Sequence, residues 1–353
     1  MGDPAGGTPS LVRDDDRAEA VEALVALAGG RVGVDGVLAQ LSRSAHPVSQ
    51  QLTRLEVAFT WDDADRRDRR WWPQGVTGSW DSLRATADPG PDGSVLVTTA
   101  YAKPVRDVRL GSRVTVHDVS DLGRVRYEHV LLVTPELDDS GAVRLAPVHA
   151  HAGGAAWVGD HLHVAATAAG IHTFDLRDVV PARALAGAGL PDHGHHFVLP
   201  ARTTYRTQTP EGGTPLRFSF LSVTQEMDRR LLVGEYGRGS MTTRLWTYDV
   251  DDTTGLLVTD EAGLALPTFV PTPGVERMQG AVLVDGRLHV VTSRGRYRRG
   301  SIWTERSGQL VQREYVLPPG PEDLSHRRTQ DQLWTLTEYP HTRMVAAVDR
   351  RRF

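Results

Sequence analysis

Carboxylates and arginines recur at the ends of strand-like segments, where they could perform acid/base chemistry. The glutamates of this kind are Glu322, Glu338 and Glu235. If they meet in one site, mutual repulsion and desolvation raise the pKa of at least one carboxyl group and suit it to general acid catalysis. The alternative is structural, because ion-pair networks also perturb pKa values. In that case the carboxylates pair with arginines such as Arg217, Arg277 or Arg294.

A second candidate is the H-x-H pair formed by His149 and His151. Side chains two residues apart share one face of a strand, as two metal ligands or a base with its orienting partner require. If the strand has begun at His149, the pair indicates proton transfer or substrate binding, with His151 as the base. Metal ligation and a purely structural role are the alternatives. We expect no cofactor, and a divalent metal in this region stays open.

The elements that position these residues follow from a repeat. One six-residue strand signature occurs five times. Its copies are Val95 to Ala100, Leu162 to Thr167, Leu231 to Tyr236, Leu288 to Ser293 and Leu333 to Glu338. A strand-like run with a polar turn precedes each copy, and a third and often a fourth strand candidate follow it. Five such units of roughly 40 to 70 residues predict an all-β, five-bladed β-propeller. A β-sandwich with a small extra domain is the alternative.

The first 45 residues differ from the rest of the chain. Apolar residues at three- and four-residue intervals predict a helix over residues 14–27 and a shorter one over 35–42. We therefore divide the chain into a helical extension, residues 1–45, and a propeller domain, residues 46–353. The segment from Leu55 to Trp61 has no partner in its own region, so we expect it to join the last unit and close the ring.

In a propeller the first strand of each blade begins, and the second strand ends, at one face of the central channel. Polar residues at these points should line a single funnel, the default place for a ligand. The predicted catalytic residues are Glu322 as general acid, His151 as base, Glu338 and Glu235. The predicted substrate-binding residues are Gln74, Tyr101, Lys103, His149, Arg217, Tyr236, Gln279, Arg294, Asp323 and Tyr339. Trp71 and Trp72 either form a wall of this funnel or pack against the N-terminal helices.

Composition excludes several classes of function. The formal charge of -4 lacks the basic excess typical of nucleic-acid binding, and no cysteine is present for disulfides or thiolate metal sites. No apolar run is long enough to span a membrane, and the N-terminus carries no secretory signal pattern, so the chain as written is expected to be cytoplasmic. Motifs of serine hydrolases, nucleotide triphosphatases, Rossmann oxidoreductases and zincins are missing. We expect a monomer that binds a small molecule.

Four segments resemble a known group of proteins: WWPQGVTGSWDS, HAGGAAWVGDHLHVA, MQGAVLVDG and GPEDLSHRRTQDQLWTLTEYP. They resemble a family of actinobacterial β-propellers described only as secreted or hypothetical proteins, and the likeness covers residues 46–353. This resemblance implies secreted relatives, although the chain lacks a leader. More distantly, Gln74-Gly75 and Gln279-Gly280 resemble the inner-strand starts of strictosidine-synthase, lactonase and NHL-type propellers.

Two functions from different classes remain. The first is an enzyme that performs acid/base chemistry on a small molecule in the funnel, by hydrolysis, elimination or cyclisation, for example in secondary metabolism. The second is a non-catalytic, secreted binding propeller whose rim recognises a glycan, a peptide or a protein. Ionisable groups deep in the channel favour the enzyme, because a rim binder does not need them. A glycosidase is not preferred, because the first two units offer Gln and His where carboxylates are required.

Overall fold

A computed structural model describes residues 9–14, 17–49, 55–82, 93–104, 109–185, 194–224, 226, 228–271 and 274–353 of the 353 residues. Strands dominate these segments, so the protein is all-β with a few short helices. None of the helices among the described residues is long and apolar enough to cross a membrane.

The N-terminal region combines strands with short helices. Its elements are β1 (Ser10–Asp14), α1 (Ala18–Ala28), α2 (Gly33–Leu38), β2 (Arg43–Ser44), β3 (His46–Pro47), β4 (Leu55–Thr60) and α3 (Asp63–Arg67). Helix α1 buries Val21 and Leu24 and ends at Gly29, whose left-handed φ of 81° suits glycine. The predicted first helix began too early, because Asp14 belongs to β1, whose backbone pairs with a later strand.

The rest of the chain divides into five groups of strands in chain order, which we call units 1 to 5. Units 1 and 2 belong to a single 13-stranded sheet, and the longer strands of units 3, 4 and 5 belong to separate sheets of four, four and five strands. Unit 1 contains β5 (Trp71–Gly78), α4 (Ser79–Ser82), β6 (Val95–Ala102), β7 (Ser112–Asp118) and β8 (Arg126–Leu137), and β9 (Val143–Pro147) extends it. Unit 2 contains β10 (Ala155–Val158), β11 (His161–Ala165), β12 (Ile171–Asp175), the short β13 (Val180–Pro181) and β14 (Phe197–Gln208).

Units 3 to 5 repeat this plan. Unit 3 contains β15 (Phe220–Val223), β16 (Arg230–Gly234), β17 (Leu245–Asp249), the short β18 (Leu264–Ala265) and β19 (Pro267–Val270). Unit 4 contains β20 (Met278–Val284), β21 (Arg287–Thr292), β22 (Arg299–Arg306) and β23 (Gln309–Pro319). Unit 5 contains β24 (Pro321–Arg327), β25 (Gln332–Thr337) and β26 (Val345–Asp349), with β4 as its fourth strand.

The position of β4 confirms one sequence prediction. It pairs antiparallel with β26, so that Phe59 lies opposite Val345 and Ala58 opposite Ala346. The N-terminal strand thereby completes the last unit of the chain and covers the edge that β26 would otherwise expose. All five strand signatures also overlap the second strands of their units. Strands β11, β16, β21 and β25 begin one residue before their signatures and end one or two residues before the signatures end.

Contacts between units follow chain order and return to the start. The first strand of each unit touches the first strand of the next, and β24 of unit 5 touches β5 of unit 1. Apolar side chains fill each boundary. For example, Phe59 of unit 5 packs in one cluster with Val76 and Leu96 of unit 1. The hydrophobic core is therefore distributed between neighbouring sheets, and the polar site described next lies where the first strands converge.

Candidate functional site

In three units the first strand is paired irregularly with the second strand, at a point where the sequence has a polar residue. The pairing register shifts between Pro73 and Val76 in β5, between Met278 and Gly280 in β20, and between Glu322 and Ser325 in β24. Such irregularities re-aim side chains and end regular pairing, and they are frequent beside active sites. The residues concerned are Gln74, Gln279, Glu322 and Asp323.

Glycine allows these strands to approach one another. A Cβ atom on Gly280 would lie 2.4 Å from the carbonyl carbon of Asp323, and one on Gly75 would lie 2.8 Å from the amide nitrogen of Ala155. Real side chains do not tolerate such distances, so only glycine fits at either position. Each glutamine precedes its glycine and is thereby held against the next unit.

Two carboxyl groups share this part of the molecule. The Gln279 Nε2 donates to Glu322 Oε1 at 2.9 Å, and the Gln74 Nε2 donates to Glu338 Oε2 at 3.2 Å. The Tyr339 hydroxyl is a further hydrogen-bond donor to Glu338. Within the described part of the chain, neither carboxyl group forms an ion pair. Both are instead held by neutral donors.

Burial makes these carboxyl groups weak acids. The pKa of Glu322 is raised well above its usual value by desolvation first, and then by the charges of Glu338 and Asp323. Desolvation also raises the pKa of Glu338, although hydrogen bonds from Tyr339 and Gln74 oppose the shift. Glu322 is only 3% exposed. The arrangement therefore favours the protonated, neutral form of Glu322 over the charged form.

Asp323 has a different task from Glu322. Its Oδ2 accepts the backbone N–H of Val76 at 2.8 Å and that of Ala155 at 3.0 Å. A residue of unit 5 thereby holds the first strands of units 1 and 2. Desolvation raises the pKa of Asp323, while these backbone hydrogen bonds oppose the shift. The side chain of Asp323 is fully buried, and its Oδ2 holds the first strands of units 1 and 2 to unit 5, so a role of Asp323 in substrate binding stays a prediction.

Aromatic and basic residues form a rim above the carboxyl pair. The Tyr101 ring lies 4.5 Å from the His151 ring, measured between centroids, and Lys103 Nζ lies 3.1 Å from the centre of the Trp72 ring. Trp72 also contacts the edge of Tyr339 at 5.9 Å. Burial followed by the charge of Glu338 raises the pKa of Tyr101 to about 12. The site thus consists of buried carboxyl groups and a partly exposed aromatic rim.

The basic groups of this rim have lowered pKa values. Desolvation lowers the pKa of Lys103, and the charge of Glu338 opposes this shift. Desolvation followed by the charge of Lys103 lowers the pKa of His151. The His151 residue nevertheless remains exposed to solvent. A neutral His151 beside Tyr101 can accept a proton, which is the chemistry expected of a base.

Several residues predicted for the site have partners outside the carboxyl pair. Glu235 accepts two hydrogen bonds from the Arg244 guanidinium, at 2.9 and 2.7 Å, and also the backbone N–H of Arg217. Arg217 itself is exposed. Arg294 pairs with Glu314 at 3.3 Å. Glu235 and Arg294 thus behave as the structural alternative predicted, although their partners are different residues. Tyr236 is half-buried, and its charge contributes to the raised pKa of Tyr339.

The two histidines of the H-x-H pair do not share a strand face. Strand β10 begins only at Ala155, so His149 and His151 precede it. Ala152 has a positive φ of 53°, which turns the chain between the histidines and the strand. His149 is exposed and its pKa is lowered by desolvation and then by Arg109. The described residues contain no group of three or more His, Asp or Glu side chains placed to hold a metal ion.

The sequence left two features undetected or undecided. Trp72 forms part of the rim, whereas Trp71 faces the other way and stacks on Arg113 at 4.3 Å. Strand alternation with Gln74 is the signal that selects Trp72. A buried network around Asp65, in which the Tyr127 hydroxyl and His129 are donors, was not detected. Asp65 belongs to the charged run DDADRRDRR, which resembles an ordinary solvated surface.

Comparisons with known proteins give likenesses of fold only. No protein-family model and no curated protein matches the chain. A gluconolactonase from Xanthomonas campestris is similar at a TM-score of 0.38 and 13% identity, covering 87% of this chain and 85% of that one.

Two further structures have similar scores. A β-propeller domain from Myceliophteria thermophila has a TM-score of 0.38 and 13% identity, covering 78% and 96% of the two chains. A GH43_1 enzyme from Xanthomonas citri, complexed with xylotriose, has a TM-score of 0.37 and 11% identity, covering 93% and 92%. The chain therefore has β-propeller neighbours, and its membership of the actinobacterial family stays a prediction.

Proposed function

We propose that the protein is a five-bladed β-propeller enzyme that performs acid/base chemistry on a small molecule at the carboxyl pair Glu322 and Glu338. Units 1 to 5 are the blades. The closed sequence of contacts between their first strands, from β5 through β24 and back to β5, supports this count. The observation that carries the enzymatic part is a buried Glu322, with a raised pKa and no ion-pair partner among the described residues, next to a second carboxyl group.

In this proposal Glu322 donates a proton to the leaving group of the substrate. The carboxyl O–H bond breaks as the leaving-group atom gains the proton, so the charge that develops there is neutralised. Gln279 and Gln74 hold the two carboxyl groups in place through their amide N–H groups. His151 at the rim accepts a proton from the attacking water or from the substrate carbon. Hydrolysis, elimination and cyclisation all need this pair of steps.

Two residues predicted as catalytic or substrate-binding are not part of this proposal. Glu235 is neutralised by Arg244, and Arg294 is paired with Glu314. The substrate is expected to be small and to carry a planar or ring-shaped group, because Trp72, Tyr101 and Tyr339 form the rim. A protein of secondary metabolism or of sugar chemistry would meet this description.

The test is a screen of metabolites with the wild type and with Glu322→Gln, read as thermal stabilisation and as mass change of the bound compounds. Glu322→Gln keeps the shape of the side chain but removes its transferable proton. We expect turnover to fall by roughly 100-fold or more, while affinity changes little. Glu136→Gln, on the exposed end of β8, is the matched control and should keep full turnover.

The same screen distinguishes the enzyme from a non-catalytic recognition propeller. A compound that stabilises both proteins and is converted only by the wild type supports the enzyme. Stabilisation without conversion by the wild type, across several pH values and with added calcium or zinc, supports a binding protein and contradicts the roles of Glu322 and His151.

A further inference from the structure

A second cavity, which we call the arginine cavity, lies beside unit 1. Its volume is about 450 Å³, and its walls come from β2, α3, the segment before β5, and β7 and β8. Strand β5 separates it from the carboxyl pair. Trp71 lines the arginine cavity, whereas the next residue, Trp72, contacts Lys103 and Tyr339 on the other side. Consecutive strand residues point to opposite faces, so the two sites are distinct.

Positive charge exceeds negative charge in this lining. Four arginines, Arg43, Arg67, Arg70 and Arg113, face the carboxylates Asp65 and Asp68. The lining alone has an excess of two positive charges, although Asp62 and Asp63, outside the lining, pair with Arg43 at 3.5 Å and with Arg67 at 3.2 Å. His129 also lines the arginine cavity, and desolvation together with Arg113 lowers its pKa to about 4, so it is neutral at pH 7. The lining thus presents more cationic than anionic side chains, as an anion-binding site requires.

Each lining arginine has a carboxylate partner, but some guanidinium nitrogens have none among the described residues. Asp65 Oδ2 accepts the Tyr127 hydroxyl at 2.7 Å and His129 Nε2 at 2.9 Å, whereas Arg113 reaches Oδ1 only at 3.4 Å. Asp68 pairs with Arg70 at 2.9 Å, so one nitrogen of that guanidinium is turned away from the pair. The short hydrogen bonds of Asp65 are therefore those with Tyr127 and His129, and its carboxylate compensates the positive charge of Arg113 only weakly.

Arg113 is the group that points to a ligand. Its residue is only 8% exposed, its guanidinium stacks on Trp71, and its Nε has no hydrogen-bond partner among the described residues. The buried Nε of Arg43 also has no partner in the described part of the chain. Burial lowers the pKa of Arg113 to about 10, although Asp65 and Asp68 oppose this. An unsatisfied, desolvated cation is costly unless an anion binds beside it.

We propose that the arginine cavity binds a small dianionic oxyanion of the phosphate class, as free phosphate or as the monoester of a small molecule. Its donors come from four different elements and can surround a tetrahedral anion, whereas a planar carboxylate engages the fork of a single guanidinium. The arginine cavity has a volume of about 450 Å³, whereas a water molecule occupies about 30 Å³ in the liquid. The cavity therefore has space for the anion and a small organic substituent.

Binding is measured on the full chain by titration calorimetry and by the phosphorus resonance of inorganic phosphate. Acetate and chloride at matched ionic strength provide the comparison. We expect saturable, one-to-one binding of phosphate and much weaker binding of acetate. The proposal is overturned if phosphate gives no saturable signal or if acetate binds equally well. A phenyl phosphate arm then separates free phosphate from a monoester by which of the two binds more tightly.

Arginine variants test whether the anion binds in the arginine cavity. Arg70→Ala and Arg43→Gln change partly exposed side chains, and each should weaken phosphate binding about tenfold or more, because charge-assisted hydrogen bonds are lost. Arg144→Ala is the matched control. It also removes an arginine that pairs with an aspartate, Asp138, but lies outside the arginine cavity. Equal weakening by Arg144→Ala indicates general charge attraction and overturns the proposal.

Arg113→Lys tests the central residue. It keeps the charge and removes the planar fork, and we expect binding to weaken at least as much as in Arg70→Ala. If this buried variant does not fold, Arg70→Ala and Arg43→Gln decide the question alone. If Arg113→Lys folds and binds phosphate as tightly as the wild type, Arg113 does not contact the anion and the proposal fails.

Discussion

In units 3 and 5 the dipeptide Glu-Tyr directly follows the second strand, yet the two glutamates have opposite environments. Glu235 in unit 3 forms a two-point ion pair with Arg244. Glu338 in unit 5 accepts a hydrogen bond from the neutral Gln74 amide, and burial raises its pKa. One carboxylate is thus a structural anion, and the other is available for proton transfer.

Strand register explains this difference. In unit 3, Leu245 lies opposite Gly234, so Glu235 lies opposite Arg244 and the two backbones are hydrogen-bonded at 3.1 Å. In unit 5, Val345 lies opposite Leu336. The residue equivalent to Glu235 is therefore Thr337.

A shift of one residue sends a side chain to the other face of a strand. Thr337 faces Met344 and accepts its backbone N–H at 3.0 Å. Glu338, one position later, is turned the other way. Arg343 is near enough to lower the pKa of Glu338 slightly, but its guanidinium donates to the backbone oxygens of Trp71 and Asp68. A one-residue offset thus separates an ion pair from a weak acid.

The largest effect is expected from breaking the ion pair of unit 3. Arg244→Met leaves Glu235 buried without its cation, and losing one partner of a buried pair costs about 3–5 kcal/mol. The measurement is urea unfolding of this variant and of Glu338→Gln. The latter should lose much less, because Glu338 has no ion pair to lose among the described residues. Equal losses would contradict the proposed difference between the units.

A double variant separates charge from packing. Adding Glu235→Gln to Arg244→Met removes the uncompensated charge, so it should recover a large part of the lost stability. If the double variant is as unstable as Arg244→Met alone, the loss came from the missing arginine side chain and its bonds to the oxygens of Thr214 and Pro215.

Much of the fold and part of the site were accessible from the sequence. The strand signatures and the orphan strand Leu55–Thr60 depend on local apolar patterns, and these placed the hairpins and the last sheet. Strand β1 was missed because its partners are β14 and β18, far away in sequence. The Gln-Gly pattern predicted Gln74 and Gln279 correctly as neighbours of the carboxyl pair. The pattern is informative because only glycine allows the next strand to approach so closely.

The choice among carboxylates was not accessible. Glu235 is the fifth residue of its strand signature and Glu338 is the sixth, but whether such a residue meets an arginine depends on which third-strand residue lies opposite, and the signatures do not fix this. Likewise, His149 and His151 shared a face only if β10 had begun before Ala155. Sequence alone identifies the residue types at a strand end, but the register decides which way each points.

A smaller effect should appear in the pH dependence of stability. The pKa of Glu322 is raised in the folded protein, so the folded state binds this proton more tightly than the unfolded state does. The stability that Glu322 contributes is therefore fully present below its unfolded pKa, near 4.5, and is lost as pH rises through its folded pKa. The slope for one proton is at most ~1.4 kcal/mol per pH unit.

Glu322→Gln removes this contribution. Urea unfolding at pH 5 and pH 8 should show that the wild type loses more stability than the variant between these values. Glu136→Gln, at an exposed carboxyl, should follow the wild type. Parallel behaviour of wild type and Glu322→Gln would mean that Glu322 is ionised in the folded protein, as an ion-paired carboxylate is.

The smallest effect is expected from Gln74→Met, which keeps a similar volume but removes the amide donor to Glu338. Loss of one neutral hydrogen bond costs about 1 kcal/mol. The hydrogen bond from Gln74 lowers the pKa of Glu338 against the effect of burial, so its removal lets that pKa rise further. The variant should therefore lose more stability relative to the wild type at pH 8 than at pH 5, measured by urea unfolding. A loss as large as that of Arg244→Met would show that Glu338 depends on its donors as an ion-paired carboxylate does, and the distinction between units 3 and 5 would then disappear. A loss confined to pH 5 would show that the Gln74 amide stabilises the protonated form of Glu338, which contradicts the expected direction.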